Sequence, residues 1–113
     1  MELTSSQINE INVLELSGSF DIYTAAPVRE WMEQATAAKP ANIVVDLSGV
    51  KFIDSTALAT LVQGIKRARQ NQGDIRLSGL NQPVRMVLEL TRLDKVFEIY
   101  ATKDAAVQAF EQG

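Results

Sequence analysis

Apolar residues change their spacing along this chain in a regular order, with short runs alternating with helical stripes, and that order predicts strands and helices in turn. Ile8 and residues 13–16, where Val13 and Glu15 alternate with Leu14 and Leu16, predict an N-terminal hairpin that turns at Asn9-Glu10. After Ser17-Gly18-Ser19-Phe20-Asp21, Thr24 is placed to cap a helix whose stripe is Val28, Trp31, Met32 and Ala35. Pro27 fits there because its missing N–H falls in the first turn, and Pro40 closes the connection. Residues 42–47 form a β-branched run of the kind buried on both faces of a parallel strand.

A second helix begins after Asp54, with Leu58, Leu61, Val62, Ile65 and Ala68 inward and Lys66, Arg67, Arg69 and Gln70 on a solvated face. Gln72-Gly73 ends it. Residues 75–77 give the next strand, and Ser78-Gly79-Leu80-Asn81 leads into a helix with Val84, Val87 and Leu88 inward. Residues 96–100 give a last strand, before a helix capped by Thr102 with Val107 and Phe110 facing the core. The alternation specifies an α/β fold in a single domain over residues 1–113. Its expected form is a mixed, mostly parallel sheet of about four to five strands covered by about four helices, with the hairpin forming one side.

Composition narrows the chemistry. A chain of 113 residues, 46% of them hydrophobic, can bury one core but not two, and a net charge of −3 argues against nucleic-acid binding, which needs a basic surface. Cysteine and histidine are both absent, which removes Ser-His-Asp and Cys-His catalysis, disulfides and most transition-metal sites. No catalytic residue, metal ligand or cofactor site is assigned, and the expectation is a protein-binding module, not an enzyme. Met1-Glu2-Leu3-Thr4-Ser5-Ser6 lacks the basic start and apolar run of a signal peptide, and no apolar stretch approaches the ~20 residues that span a bilayer. A cytoplasmic protein with no membrane partner is expected.

The candidate chemistry lies at Asp54-Ser55-Thr56, two hydroxyls and a carboxylate where a helix begins, just beyond Phe52-Ile53. Any of the three could cap the helix, at a cost of about 1 kcal/mol if lost. A helix N-terminus also carries partial positive charge and unpaired N–H donors, so a phosphate added there suits the fold while changing the surface.

Val45-Asp46-Leu47-Ser48-Gly49-Val50 followed by Phe52-Ile53-Asp54-Ser55 resembles the signature of the STAS domain of bacterial anti-sigma-factor antagonists. Ser17-Gly18-Ser19-Phe20-Asp21 ahead of Thr24-Ala25 resembles that family's loop after its second strand, and Leu77-Ser78-Gly79-Leu80, Pro83-Val84 and residues 93–100 resemble its C-terminal half. The resemblance implies an antagonist that binds an anti-sigma factor, itself a serine kinase, and thereby releases a sigma factor. Phosphorylation at Ser55 would turn binding off, and a metal-dependent serine/threonine phosphatase would reverse it. Asp21, Asp54, Ser55, Thr56 and Ala57 would then lie at the partner surface. The chain departs from the family in having Thr56, Ala57 and Ala59 where a second serine and glycines are common, and Arg92 where glycine is frequent.

Two other readings use the same residues. Asp21, Asp46 and Asp54 at strand ends could bind magnesium and accept a phosphoryl group, as in receiver domains, although Asp46-Leu47-Ser48-Gly49 reads more simply as a side chain capping its own loop. Alternatively the fold serves as a STAS scaffold with no switch, in which case changing Ser55 to Asp leaves partner binding unaltered.

Overall fold

The computed structural model describes residues 1–112. Its elements run β1 (Glu2–Ile8), β2 (Ile11–Phe20), α1 (Ala25–Ala35), β3 (Asn42–Ile53), α2 (Ser55–Gln70), β4 (Asp74–Ser78), α3 (Gln82–Leu90), β5 (Glu98–Tyr100) and α4 (Lys103–Gln112), with a 3₁₀ turn at Leu93–Lys95. The sheet order is β1-β2-β3-β4-β5, antiparallel between β1 and β2 and parallel thereafter. The expected α/β fold with an N-terminal hairpin is thus the fold observed. Among the described residues, no helix is long and apolar enough to cross a membrane.

Strand order that follows chain order, with right-handed crossovers, puts α1, α2 and α3 on one face of the sheet. The main core forms there from Leu14, Leu16, Val45, Leu47 and Leu77 against Val28, Met32, Leu61, Ile65, Val84 and Leu88. α4 covers the opposite face with a smaller cluster in which Ala106 and Val107 meet Val13 and Val44. Lys103 at its start pairs with Glu15 of β2, and that hydrogen bond raises the lysine pKa above its ordinary value.

Several boundaries differ from the pattern-based expectation. β2 runs on through Ser17-Gly18-Ser19-Phe20, so that only residues 21–24 remain as loop. β3 runs on from Leu47 to Ile53 because two bulges against β2 absorb its extra residues and keep the backbone paired past Ser48 and Gly49. Val96 and Phe97 are not strand: Val96 closes the 3₁₀ turn, and the Val96 and Phe97 N–H groups both donate to the Leu93 carbonyl.

At the end of α2, Gln72, not Gly73, takes the left-handed conformation (φ 65°), and the Gly73 N–H returns to the Ala68 carbonyl at 2.8 Å. Gly73 is required for a different reason: a Cβ there would lie 2.0 Å from the Ala41 carbonyl oxygen, where β3 begins.

Arg92 sits at φ 64°, ψ 13°, a left-handed position two residues beyond the end of α3. A side chain costs roughly 1–2 kcal/mol in this region and glycine does not. The substitution Arg92→Gly is expected to raise stability by about 1 kcal/mol, measured as a higher denaturation midpoint with an unchanged m-value; a fall in midpoint would contradict the backbone assignment.

Candidate functional site

β2 and β3 end side by side, and one carboxylate joins the loop beyond β2 to the helix beyond β3. Asp54 has extended backbone (φ −114°, ψ −177°), its Oδ1 accepts the Ala57 N–H at 3.0 Å, and its carbonyl accepts the Leu58 N–H at 3.0 Å. Of the three residues able to cap α2, Asp54 does so. Its Oδ2 meanwhile accepts the Ile22 N–H at 3.0 Å, and its own N–H donates to the Phe20 carbonyl at 3.3 Å. The same side chain therefore ends β3, starts α2 and holds the loop between β2 and α1.

That loop is also tied within itself. Asp21 Oδ1 accepts the Tyr23 N–H at 3.0 Å, while Thr24 Oγ1 accepts the Asp21 N–H and donates to the Ser19 carbonyl, both at 2.9 Å. Thr24 stands at the N-cap position of α1 but makes no capping bond, contrary to the expectation from its position, because its hydroxyl is committed to the loop behind it. The expected cap at Thr102 is present, with its Oγ1 accepting the Ala105 N–H at 3.1 Å.

Ser55 is the first residue of α2, and its side chain is exposed. Among the described residues its hydroxyl makes no hydrogen bond, and the N–H groups of Ser55 and Thr56 have no protein acceptor. Thr56 is half-buried, and its carbonyl accepts the Thr60 hydroxyl. The arrangement leaves an accessible hydroxyl and open donors at the positive end of a 16-residue helix.

The structure brings Asp21, Asp54, Ser55 and Thr56 together at this edge. Ala57 is corrected: it is fully buried, and only its N–H, bound by Asp54, takes part in the site. Sequence reasoning misses Ile22, Tyr23 and Phe52, which are 64%, 90% and 53% exposed around the same edge. The signal for the first two is an apolar pair enclosed between Asp21 and Thr24, residues that build turns and not core.

Asp46 stands apart. Its Oδ1 accepts the Ser48 N–H at 2.9 Å, as expected of a self-capping loop, and it borders the same surface hollow as Lys103 at the start of α4. With both Asp54 oxygens bound by backbone N–H groups, the three aspartates do not assemble a receiver-like pocket. Among the described residues no group of three or more acidic side chains is placed to hold a metal ion. The Lys66, Arg67 and Arg69 side chains are exposed as expected, and Arg69 also bridges Asp74 and the Val96 carbonyl.

The STAS domain family model matches residues 2–106. An anti-sigma-B factor antagonist of Listeria monocytogenes is 30% identical over 99 residues, which cover 88% of this chain and 86% of that relative. An anti-sigma-F factor antagonist of Mycobacterium tuberculosis is 28% identical over 111 residues, covering 98% and 90%. The crystal structure of an anti-sigma factor antagonist from Mycobacterium paratuberculosis superposes with a TM-score of 0.86 at 28% identity, covering 96% of this chain and 92% of that one.

Replacing Asp54 by Ala removes both arms of the clasp and is expected to cost about 1–3 kcal/mol, a lost cap plus one lost loop hydrogen bond. Amide hydrogen exchange should accelerate at Ile22 and Ala57 together. Acceleration at Ala57 alone would mean that the carboxylate does not hold the loop.

Proposed function

Because the chain belongs to the STAS domain family, we propose that it is an anti-sigma-factor antagonist controlled by phosphorylation at Ser55. The unphosphorylated protein binds an anti-sigma factor that is also an ATP-dependent serine kinase, through the surface made by Asp21, Asp54, Ser55 and Thr56. That binding frees a sigma factor. The kinase phosphorylates Ser55 and ends the association, and a serine/threonine phosphatase restores it. The protein acts in the cytoplasm and contributes no catalytic group of its own.

One observation carries this reading: Asp54 performs the capping, so the exposed hydroxyl of Ser55 has no structural duty. A serine that exists only to start a helix would spend its oxygen on a backbone N–H. Phosphorylation adds about −1.5 to −2 charges, and the free N–H groups of the first turn receive part of that charge. Against a partner, one unit-charge pair near 4 Å is worth roughly 1–4 kcal/mol in water-like to intermediate surroundings. Each ~1.4 kcal/mol is tenfold in affinity, so an opposing acid or a tight contact over Ser55 is enough to separate bound from free.

Ser55→Ala is expected to change stability by less than about 0.5 kcal/mol, since no bond is lost. In affinity capture from native-cell lysate with quantitative mass spectrometry, wild type and Ser55→Ala should retain an ATP-binding serine kinase and Ser55→Asp should lose it. Equal retention by all three folded baits would favour the scaffold without a switch.

A further inference from the structure

β5 ends the sheet and is hydrogen-bonded only to β4. The Tyr100 carbonyl accepts the Gly79 N–H at 3.1 Å, which turns the backbone groups of Tyr100 toward β4. Successive residues of a strand direct their N–H and C=O groups to opposite edges, so those of Ile99 point outward, where no strand pairs with them. The side chains divide between the two faces: Ile99 packs with the three-helix core and Tyr100 with the α4 cluster. A chain laid along this edge therefore meets both layers of the fold.

The β5 segment borders an open hollow of about 630 Å³ that also reaches α2, α3 and the 3₁₀ turn. Arg69, Arg85 and Lys95 line it against Asp74, Asp94 and Glu98, so its charges balance and it does not gather a bare anion. Most of these groups are already engaged. Arg69 donates to Asp74 at 3.1 Å and to the Val96 carbonyl at 2.8 Å, Lys95 lies 3.9 Å from Asp94, and Glu98 accepts the Tyr100 hydroxyl at 2.8 Å. Arg85 is the exception: it is a half-buried residue of α3, and among the described residues its guanidinium makes no hydrogen bond or ion pair. A partly desolvated cation without a carboxylate stands beside an edge with unpaired backbone groups.

We propose that the outer edge of β5 is a docking site for an extended acidic segment of another protein, which adds to the five-stranded sheet as a sixth strand. Backbone bonds to Ile99 supply the pairing, and a carboxylate on the side facing α3 meets Arg85. A strand of three residues is too short an edge to recruit a chain by backbone bonds alone, which leaves the choice of segment to the charged contact. The opposite edge of the sheet lacks such a contact: β1 is seven residues long, but its only charged residue is Glu2. An extended peptide fits the β5 edge better than a small anion does, because it brings backbone donors and acceptors to Ile99 together with an acid for Arg85. Ser55 takes no part, since β4 separates β5 from β3.

The probe is the synthetic peptide acetyl-Val-Glu-Val-Glu-Val-amide, whose two carboxylates share one face when it is extended. It is titrated to millimolar concentration into isotope-labelled protein and followed by amide NMR. The Ile99 amide and the Arg85 side-chain N–H are expected to shift while the amides of residues 54–58 stay in place, and hydrogen exchange at Ile99 should slow by roughly tenfold or more at saturation. Arg85→Gln removes a side chain that holds nothing in the fold, so its melting temperature should match wild type while its affinity for the peptide falls by roughly tenfold. The counterpart acetyl-Val-Lys-Val-Lys-Val-amide is expected not to bind. An Ile99 amide that neither shifts nor gains protection overturns the added strand. Equal binding of the two peptides, or full affinity in Arg85→Gln, overturns the acidic contact and the proposal with it. Inorganic phosphate that shifts Ile99 and Arg85 as the peptide does would make the hollow a simple anion site and overturn the strand as its occupant.

Discussion

Both oxygens of the Asp54 carboxylate are spent on backbone N–H groups, one in the adjoining helix and one in a loop thirty-two residues earlier. Hydrogen bonds to a charged acceptor contribute more than neutral ones, and here they join segments that the sheet alone would leave unconnected. Every feature of the candidate site depends on this clasp. It frees the Ser55 hydroxyl, fixes the loop that carries Ile22 and Tyr23, and sets the first turn of α2 with two N–H groups unclaimed among the described residues.

The clasp works because the sheet delivers its two ends to the same place. β2 and β3 are parallel neighbours from Asn12↔Ile43 to Phe20↔Ile53, and their bulges take up the unequal lengths before the strands finish level. The core fixes that register, since Leu14, Leu16, Val45 and Leu47 are fully or almost fully buried and a slip of one residue would turn them to the wrong face. Folding energy is thus concentrated in the three-helix face of the sheet. The candidate edge adds little apolar burial, so a change in its surface charge would leave the core undisturbed.

Much of this architecture is legible in the sequence, because the core helices and strands carry strong periodicity: Leu58, Leu61, Ile65 and Ala68 admit only one helix face, and residues 42–47 only a buried strand. The pattern misleads where a polar side chain has a choice of partner. Thr24 and Asp54 both precede helices and both have capping chemistry. Only the tertiary meeting of β2 and β3 determines that Asp54 serves as cap and clasp while Thr24 turns back to Ser19. Ala57 is misplaced by its motif because a motif locates a residue along the chain without saying which way its Cβ points. β3 reads short because Ser48-Gly49 resembles a turn, whereas a bulge accommodates the same residues within a paired strand. Ile22 and Tyr23 escape notice as site residues because apolar side chains are normally assigned to the core.

On this account the site is a preformed surface whose charge alone changes when Ser55 is modified, with Asp54 keeping the loop and helix in place in both states. The most direct test is a comparison of amide NMR spectra of the protein with and without phosphoserine at position 55, extended to hydrogen exchange. Shift changes confined to residues 21–24 and 54–58, with Ile22 still protected and the amides of Ile43, Val45 and Leu77 unmoved, are the expected result. Shifts spreading through β2, β3 and β4, or loss of protection at Ile22, would contradict it and show that the phosphate acts by breaking the clasp.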